Sequence, residues 1–151
     1  MIDGVVLKTP VTHSDDRGFF RELLRADDPF YSGFGQTSMT ITYPGVIKAF
    51  HYHEQQDDIW FVAEGMAQCV LHDMRKESPT YKQTQVVYAG EDNPVLIKIP
   101  IGVAHGYRVL GPKPVLLFYH TTRAYDAKNP DEKRIPWDDP EIGFDWTTKN
   151  R

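Results

Sequence analysis

The residues whose types and spacing could do chemistry lie in two short stretches. The first, GVIKAFHYHEQQDDIWFVAEG, places His51 and His53 two positions apart, with Asp58 five positions further along. The second, PIGVAHG, adds His105. Three imidazoles and one carboxylate are a suitable ligand set for a divalent transition metal such as iron, manganese, zinc or nickel. Imidazoles are also the side chains that most often transfer protons in enzymes, so the same residues could act without a metal.

These side chains would meet only if strands position them. Residues two positions apart on a strand point to the same face, with Cα atoms about 7 Å apart, so His51 and His53 project together. Asp58 begins the next predicted strand. A tight turn at Pro100-x-Gly102 leads the chain to His105. If this face lines a barrel interior, all four side chains converge on it.

The rest of the sequence predicts β-structure. Short stretches rich in β-branched and aromatic residues alternate with turn signals at Pro44-Gly45, Glu64-Gly65 and Gly90–Pro94. Turns that recur about every 8–12 residues favour a sandwich or barrel, so we predict one all-β domain over residues 1–151, a double-sheet jelly roll. The only helical candidate is RGFFRELLRADDPF, which could equally be extended. N-terminal strands form one arm, and the polar, proline-broken YDAKNPDEKRIPWDDPEIGFDW is predicted to be a second arm on the surface.

Composition excludes several classes of function. The net charge is −4 with acids and bases interspersed, which argues against a nucleic-acid partner. No stretch approaches the roughly 18 apolar residues of a membrane span, and the first residues do not resemble a signal peptide. The single cysteine, Cys69, lies in an apolar stretch and predicts a buried, unreactive thiol in a reducing, cytoplasmic setting. We interpret His13, His72 and His120 as surface or hydrogen-bonded structural residues.

Both histidine stretches resemble the motifs of a known superfamily. The spacing G-x5-H-x-H-x4-D-x6-G, which contains His51 and Asp58, resembles the first cupin motif, with aspartate where glutamate is usual. The spacing P-x-G-x-x-H that ends at His105 resembles the second. This resemblance implies the double-stranded β-helix, or jelly-roll barrel, of cupins.

A narrower family matches more of the chain, because the sequence also resembles dTDP-4-dehydrorhamnose 3,5-epimerases. The matching pieces are DDRGFFRE, Gln36, His51, DMRKESPTY, IPIGVAHGY, Tyr119, Tyr125 and WDDPEIGFDW. The resemblance implies an enzyme without a cofactor that inverts carbons beside the keto group of a nucleotide-linked 4-keto-6-deoxy sugar, for cell-surface polysaccharide. It also implies a homodimer that exchanges its N-terminal strands. Phe50, Tyr52 and Trp60, which we expect to point outward, would suit such an interface.

The resemblance assigns roles to individual residues. His51 matches the catalytic base and Tyr119 the catalytic acid, although a tyrosine in an apolar strand can also be a core residue. Arg17 could instead pair with Asp15 or Asp16 in a turn. The residues implied to bind substrate, or expected in the same pocket, are Arg17, Glu22, Gln36, Lys48, His53, Asp58, His105 and Tyr125.

The sequence departs from the epimerase pattern at the site itself. Asp58 stands where the family has a lysine beside the developing enolate, and a carboxylate there would repel an oxyanion by several kcal/mol unless it is protonated or metal-bound. Lys48 replaces an arginine and lacks its bidentate fork. Ala49 replaces a glycine, His53 has no counterpart, and the family's aspartate beyond the last motif, which orients the base, has no match up to Arg151.

These departures leave alternatives open. In one, His51, His53, Asp58 and His105 hold one divalent transition metal that replaces the lysine; His51 is then a ligand, and proton transfer passes to Tyr119. The reaction of such a metal cupin could be an isomerisation or a dioxygenation. In another, the protein is a sugar 3,4-ketoisomerase, a metal-free cupin with a similar FHxH motif. A third alternative is a non-catalytic sugar-binding relative.

Overall fold

The computed structural model describes residues 1–150 as an all-β protein of twelve strands. No helix occurs among these residues, and so none that could cross a membrane. The strands are β1 (Val6–Lys8), β2 (Thr12–Asp15), β3 (Gly18–Arg21), β4 (Gln36–Thr42), β5 (Ile47–Tyr52), β6 (Asp58–Glu64), β7 (Met66–Asp73), β8 (Thr84–Gly90), β9 (Leu96–Ile99), β10 (Val103–Leu110), β11 (Val115–Thr121) and β12 (Lys133–Arg134).

Two five-stranded antiparallel sheets form the barrel, in the orders β1-β9-β6-β11-β4 and β12-β5-β10-β7-β8. Strands β2 and β3 form a separate hairpin. The main core lies between the sheets, where Trp60, Val62 and Leu117 of the first sheet pack in one cluster with Leu71 and Val103 of the second. Alternation along each strand sends these side chains inward, as the jelly-roll prediction requires.

An irregular N-terminal segment covers the outer face of the first sheet. Leu23, Leu24 and Phe30 pack there against the buried side chains of Ile59 and Phe61. This segment contains the only helical candidate from the sequence, and helix is wrong there: the chain leaves β3 at Arg21 and continues without regular structure. Its apolar residues serve as a lid on a sheet, a role that needs no helical repeat.

The C-terminal arm covers the outer face of the second sheet. Trp146 is 5% exposed, and its ring lies 5.4 Å from that of Phe50, which is 2% exposed. The indole N–H of Trp146 donates to the backbone carbonyl of Trp137 at 2.9 Å, which fixes the arm on itself. Phe50 therefore points outward as expected, but the arm of its own chain covers it. The expectation that Trp60 faces outward is wrong, because Trp60 is 2% exposed in the barrel interior.

The turn that leads to His105 has the predicted form. Gly102 adopts φ +78°, and the amide of Val103 bonds to the carbonyl of Pro100 at 3.2 Å. A left-handed φ is readily available only to glycine, so Gly102 lets the chain reverse and start β10 with His105 on its third residue. The turns predicted at Pro44-Gly45 and Glu64-Gly65 are present as well.

Candidate active site

A cavity of about 1000 Å³ opens between the two sheets. The second sheet contributes Lys48 and His51 to its wall, and the first contributes Asp58, Trp60 and Tyr119. Polar and apolar side chains share the lining, as expected for a pocket that takes a small polar molecule. The remaining lining residues are Gln36, Thr40, Ala49, Phe50, His53, Gln55, Gln56, Tyr107, Leu117, Thr121, Arg123, Ala124, Tyr125, Asp126, Asn129, Asp131, Glu132 and Arg134.

The predicted convergence of four side chains is present: His51, His53 and Asp58 line the cavity, and His105, 1% exposed, lies beside them outside the lining. One side-chain nitrogen or oxygen from each of His51, His53, Asp58 and His105 lies within 4.8 Å of the others. His51 of β5 stands directly opposite His105 of β10 in the ladder, with ring centroids 4.2 Å apart. His51 and His53 therefore project to the same face at β5, and the pairing of β5 with β10 brings His105 beside them.

Backbone carbonyls fix how two of the imidazoles are protonated. Nδ1 of His105 donates a hydrogen bond to the carbonyl of Val103 at 2.8 Å, and Nδ1 of His53 donates to the carbonyl of Asp131. Because a carbonyl only accepts, each Nδ1 carries its proton and each Nε2 faces the cluster. These Nε2 atoms lie 3.5 Å (His53) and 3.6 Å (His105) from the carboxylate of Asp58.

Asp58 is a deeply buried carboxylate, 2% exposed. Burial alone would raise its pKa, but the imidazoles of His105 and His53 hold that pKa well below the usual range. The amide of Gln56 at 3.0 Å and the indole N–H of Trp60 at 3.3 Å also donate to it. Asp58 is thus an anion compensated by donors, which is the condition for keeping a charge away from water.

Burial and the carboxylate of Asp58 together set the charge states of His51 and His53. Burial, together with the charge of His105, lowers the pKa of His51 to about 2, so this imidazole is neutral. Burial also acts to lower the pKa of His53, but the carboxylate of Asp58 outweighs it and raises that pKa. A neutral imidazole keeps a lone pair, which both a proton acceptor and a metal ligand require.

Tyr119 lies across the cavity from the histidines. It belongs to β11 and pairs with Trp60 of β6 on one side and Ser38 of β4 on the other. The ring packs against the core cluster and is only partly buried, so it also reaches the cavity. Tyr119 and His51 therefore come from opposite sheets and flank the same space.

Three predicted substrate-binding residues line the cavity mouth. The amide oxygen of Gln36 accepts a hydrogen bond from the backbone N–H of Tyr125 at 2.6 Å, and this bond anchors the segment after β11. Lys48 donates to the hydroxyl of Thr40 at 2.8 Å, across the gap between the two sheets. Both contacts set polar groups at the entrance rather than in the core.

Two other predicted substrate-binding residues lie elsewhere in the chain. Arg17 sits at the tip of the β2–β3 hairpin and pairs with Asp15 at 2.6 Å, as the alternative interpretation of this residue expects. Glu22 pairs with Arg25 at 2.7 Å on the surface. Neither residue lines the cavity of its own chain.

Sequence reasoning missed a part of the site that comes from the C-terminal arm. Strand β12 pairs with β5, which sets Arg134 opposite His51. Asp131 precedes this strand, and its carboxylate accepts hydrogen bonds from the backbone amides of Glu54 and Gln55 at 2.9 and 2.8 Å. The stretch is polar and has no apolar repeat, so its sequence pattern carries no sign that it closes one side of a cavity.

The remaining histidines and the cysteine have structural roles, as predicted. His72 and His120 hydrogen-bond to Thr84 and Thr37 at 2.8 and 2.7 Å, and His13 is exposed on the hairpin. Cys69 is fully buried in the core, and burial raises the pKa of its thiol to about 12. A thiol in this state is not a nucleophile.

Comparison with known proteins finds similar sequences that extend over the whole length of this chain. The family model for dTDP-4-dehydrorhamnose 3,5-epimerase matches residues 1–151. The spore coat polysaccharide biosynthesis protein SpsL of Bacillus subtilis is 60% identical over 151 residues, which cover 100% of both chains. A probable low-salt glycan biosynthesis epimerase, Agl13 of Haloferax volcanii, is 35% identical over 98% of this chain and 96% of its own.

Solved structures confirm the cupin barrel. A dTDP sugar isomerase from Desulfovibrio desulfuricans superposes with a TM-score of 0.90 at 29% identity, covering 99% of this chain and 94% of the other. The epimerase RmlC of Legionella pneumophila, solved with dTDP-4-keto-L-rhamnose, gives a TM-score of 0.86 at 29% identity, with 99% and 82% covered. With the whole-chain match, these findings confirm the resemblance: the chain belongs to the dTDP-4-dehydrorhamnose 3,5-epimerase family, the nucleotide-sugar epimerases of the isomerase class.

Proposed function

We propose that this protein epimerises a nucleotide-linked 4-keto-6-deoxy sugar at C3, C5 or both, in the synthesis of cell-surface polysaccharide. One observation carries the proposal: in a chain of this family, a neutral imidazole and a phenol flank one cavity from opposite sheets. Inversion of a carbon needs proton removal on one face and proton delivery on the other. We assign these two tasks to His51 and Tyr119.

The proton transfers follow from the acidity of a carbon beside a ketone. The lone pair of His51 takes the proton from that carbon, and the electron pair left behind moves into an enolate. Tyr119 then gives a proton to the same carbon from the opposite side and leaves the inverted centre. A free imidazole lone pair is the required starting state, which burial maintains, and the anionic carboxylate of Asp58 acts in the opposite direction, favouring the imidazolium that forms when the proton is taken.

Charged groups at the cavity mouth support a diphosphate-linked substrate. Lys48, Arg123 and Arg134 all line the cavity and offer cationic nitrogens to phosphate oxygens. Tyr125 is 63% exposed at the same rim and presents a free aromatic face, on which a base or sugar could stack. Arg123 and Arg134 were not among the residues predicted from the sequence to bind substrate.

A homodimer would bring Arg17 and Glu22, which do not line the cavity of their own chain, to the cavity of a second chain. The edge strand β4 exposes Met39 and Ile41 at 58% and 54%, next to its cavity-lining residues, and Tyr43 directly after it is 70% exposed. The hairpin exposes Phe19 and Phe20 at 66% and 61%. An unpaired edge with an apolar face invites pairing with a second chain. Exchange of the hairpins would then carry Arg17 and Glu22 of one chain towards the cavity of the other.

Light scattering on an eluting chromatographic peak tests the dimer. We expect a mass of two chains at micromolar concentration, and Met39→Lys with Ile41→Lys should shift the protein to one chain. A monomeric wild-type protein would contradict this part of the proposal. The compartment we propose is the cytoplasm, in keeping with the reduced thiol of Cys69.

Deuterium exchange tests the reaction itself. The protein, freed of metal by a chelator and also reloaded, is incubated in D₂O with a dTDP-4-keto-6-deoxy sugar, and NMR follows C3 and C5. We expect deuterium at one or both carbons, and His51→Asn and Tyr119→Phe should each slow this by about 10²–10⁴-fold. His120→Ala, which alters the strand of Tyr119 outside the cavity, is the matched control. Binding without exchange would indicate a sugar-binding protein, and movement of the keto group to C3 would indicate a ketoisomerase; either result defeats the proposal.

A further inference from the structure

We propose that His51, His53, Asp58 and His105 bind one divalent transition-metal ion. The proposal concerns a binding site and does not rest on the epimerase activity. The four donor atoms lie within 4.8 Å of one another, and three of the four residues are buried. They belong to three elements, β5 with the turn after it, β6 and β10, so the fold itself holds the cluster together.

The first argument is that a buried ring nitrogen of the cluster has no partner. Nδ1 of His53 and Nδ1 of His105 carry ring protons, because both are bonded to carbonyls. Nε2 of each ring faces the carboxylate of Asp58, and Nε2 of His105 is a fully buried atom without a hydrogen-bond partner. A divalent ion between these atoms would be bound by this nitrogen and by the carboxylate together.

The second argument comes from distances. The separations of 3.5 and 3.6 Å between these nitrogens and Asp58 are longer than the 2.7–3.2 Å of a good N–H···O hydrogen bond. Two ligands held about 2.1 Å from a common ion at a tetrahedral angle are about 3.4 Å apart. The spacing therefore suits ligands around an ion better than a hydrogen-bonded pair.

The third argument is the set of groups behind the ligands. Carbonyls of Val103 and Asp131 fix the two imidazoles, and the side chains of Gln56 and Trp60 donate to the carboxylate. Hydrogen bonds of this kind orient ligands in metalloproteins and select the tautomer that leaves Nε2 free.

The ligand set also limits which ion would bind. Three imidazoles and one carboxylate suit zinc, iron, manganese, cobalt or nickel, whereas calcium and magnesium prefer oxygen ligands throughout. Three of the four residues, His51, His53 and Asp58, line the cavity, so a position of the ion can remain open towards it. An ion there would supply the positive charge that Asp58 does not. Coordination would use the lone pair of His51, which would then not be free to take a proton in the loaded protein.

Cobalt titration of the full chain tests the site. Protein purified without a histidine tag is stripped with a chelator and titrated with Co²⁺, and visible absorption and calorimetry follow binding. We expect one ion per chain and d–d bands of nitrogen coordination. Loss of a group that only hydrogen-bonds a metal ligand weakens metal binding by about 10–100-fold. His53→Ala and Asp58→Asn, which remove or change a ligand itself, should each weaken Co²⁺ binding by more than this. His72→Ala, a buried histidine outside the cluster, is the matched control and should bind as the wild type does.

Either of two results would overturn the proposal: a wild type that takes up less than about 0.1 ion per chain without d–d bands, or equal uptake by wild type and both cluster variants. If the variants fail to fold by circular dichroism, the spectrum and stoichiometry of the wild type decide alone. Deuterium exchange by the chelated protein is scored separately, so failure of the metal site and failure of the epimerase proposal are distinguishable.

Discussion

The backbone carbonyl of Asp131 accepts a hydrogen bond from Nδ1 of His53, although 78 positions separate the two residues. Its carboxylate accepts the amides of Glu54 and Gln55, the two residues that follow His53. The C-terminal arm thus both orients a cluster imidazole and closes the turn beside it.

Asp131→Ala keeps the carbonyl and removes the carboxylate, so it should loosen the cavity wall without unfolding the protein. We expect KM to rise about tenfold, equivalent to about 1.4 kcal/mol, with kcat less affected. The free energy of unfolding should change by no more than about 1 kcal/mol, because the freed amides are exposed to water. Asp138→Ala, an exposed aspartate on the same arm, is the control. An unchanged KM in Asp131→Ala would show that the arm does not shape the site.

Gly106→Ala should separate the strands that carry the histidines. A Cβ at Gly106 would lie 2.3 Å from Cβ of Ala49 and 2.6 Å from its Cα, so β10 and β5 would have to move apart beside His105. Overpacking of this kind costs about 1–3 kcal/mol of unfolding free energy, which urea titration measures. Activity and metal uptake should fall together.

A second change provides the control for this strand contact. Ala49→Gly removes the nearest atom that the new Cβ would meet and leaves Cα of residue 49 at 2.6 Å, so Ala49→Gly with Gly106→Ala should recover part of the loss. A double-mutant cycle measures this coupling directly. Additive effects would mean that Cβ of Ala49 is not a source of the cost.

The sequence predicted those parts of the site that depend on local geometry. His51 and His53 share a face because alternation along a strand requires it, and His105 follows a turn that Gly102 makes possible. The cluster could be predicted because these rules act over a few residues. The jelly roll itself followed from short apolar strands separated by turns.

Longer-range features could not be predicted in the same way. Phe50 alternates with His51, so it does point out of the barrel, but the pattern of β5 does not reveal that Trp146 covers it. Asp131 reaches His53 through a polar segment without a repeat, and tertiary packing alone places it. The helical candidate failed because Leu23 and Leu24 cover a sheet in an irregular segment.

Trp146→Ala should test how much the C-terminal arm stabilises the barrel. The ring packs against Phe50 at 5.4 Å and Phe144 at 4.8 Å, and its loss would expose the outer face of β5. Truncation of a buried tryptophan costs about 3–5 kcal/mol of unfolding free energy. Trp137→Ala is the matched control, because this ring is 52% exposed and its backbone carbonyl remains. Equal losses in the two variants would contradict a structural role for the arm.

Asp73 should make the stability of the protein fall at acid pH. Its buried carboxylate accepts both Arg75 side-chain donors at 2.8 Å and the hydroxyls of Ser78 and Thr80 at 2.6 Å. Burial acts to raise its pKa, but these hydrogen bonds outweigh burial and hold the pKa well below the usual range. A carboxylate with a depressed folded-state pKa stabilises the fold above its unfolded value of about 3.9 and loses this contribution as the pH falls below it.

The matched measurement is urea unfolding of wild type and Asp73→Asn between pH 7 and pH 3. The variant should be about 2 kcal/mol less stable at pH 7, because Arg75, Ser78 and Thr80 lose a charged hydrogen-bond acceptor. Below pH 4 the difference in unfolding free energy between the two proteins should shrink by up to about 1.4 kcal/mol per pH unit. In this range Asp73 is protonated in the unfolded wild type but still ionised in the folded wild type. Parallel curves for the two proteins over this range would show that the acid sensitivity arises at other carboxylates. Asp73 lies outside the histidine cluster, so this experiment reports on the fold independently of any ion.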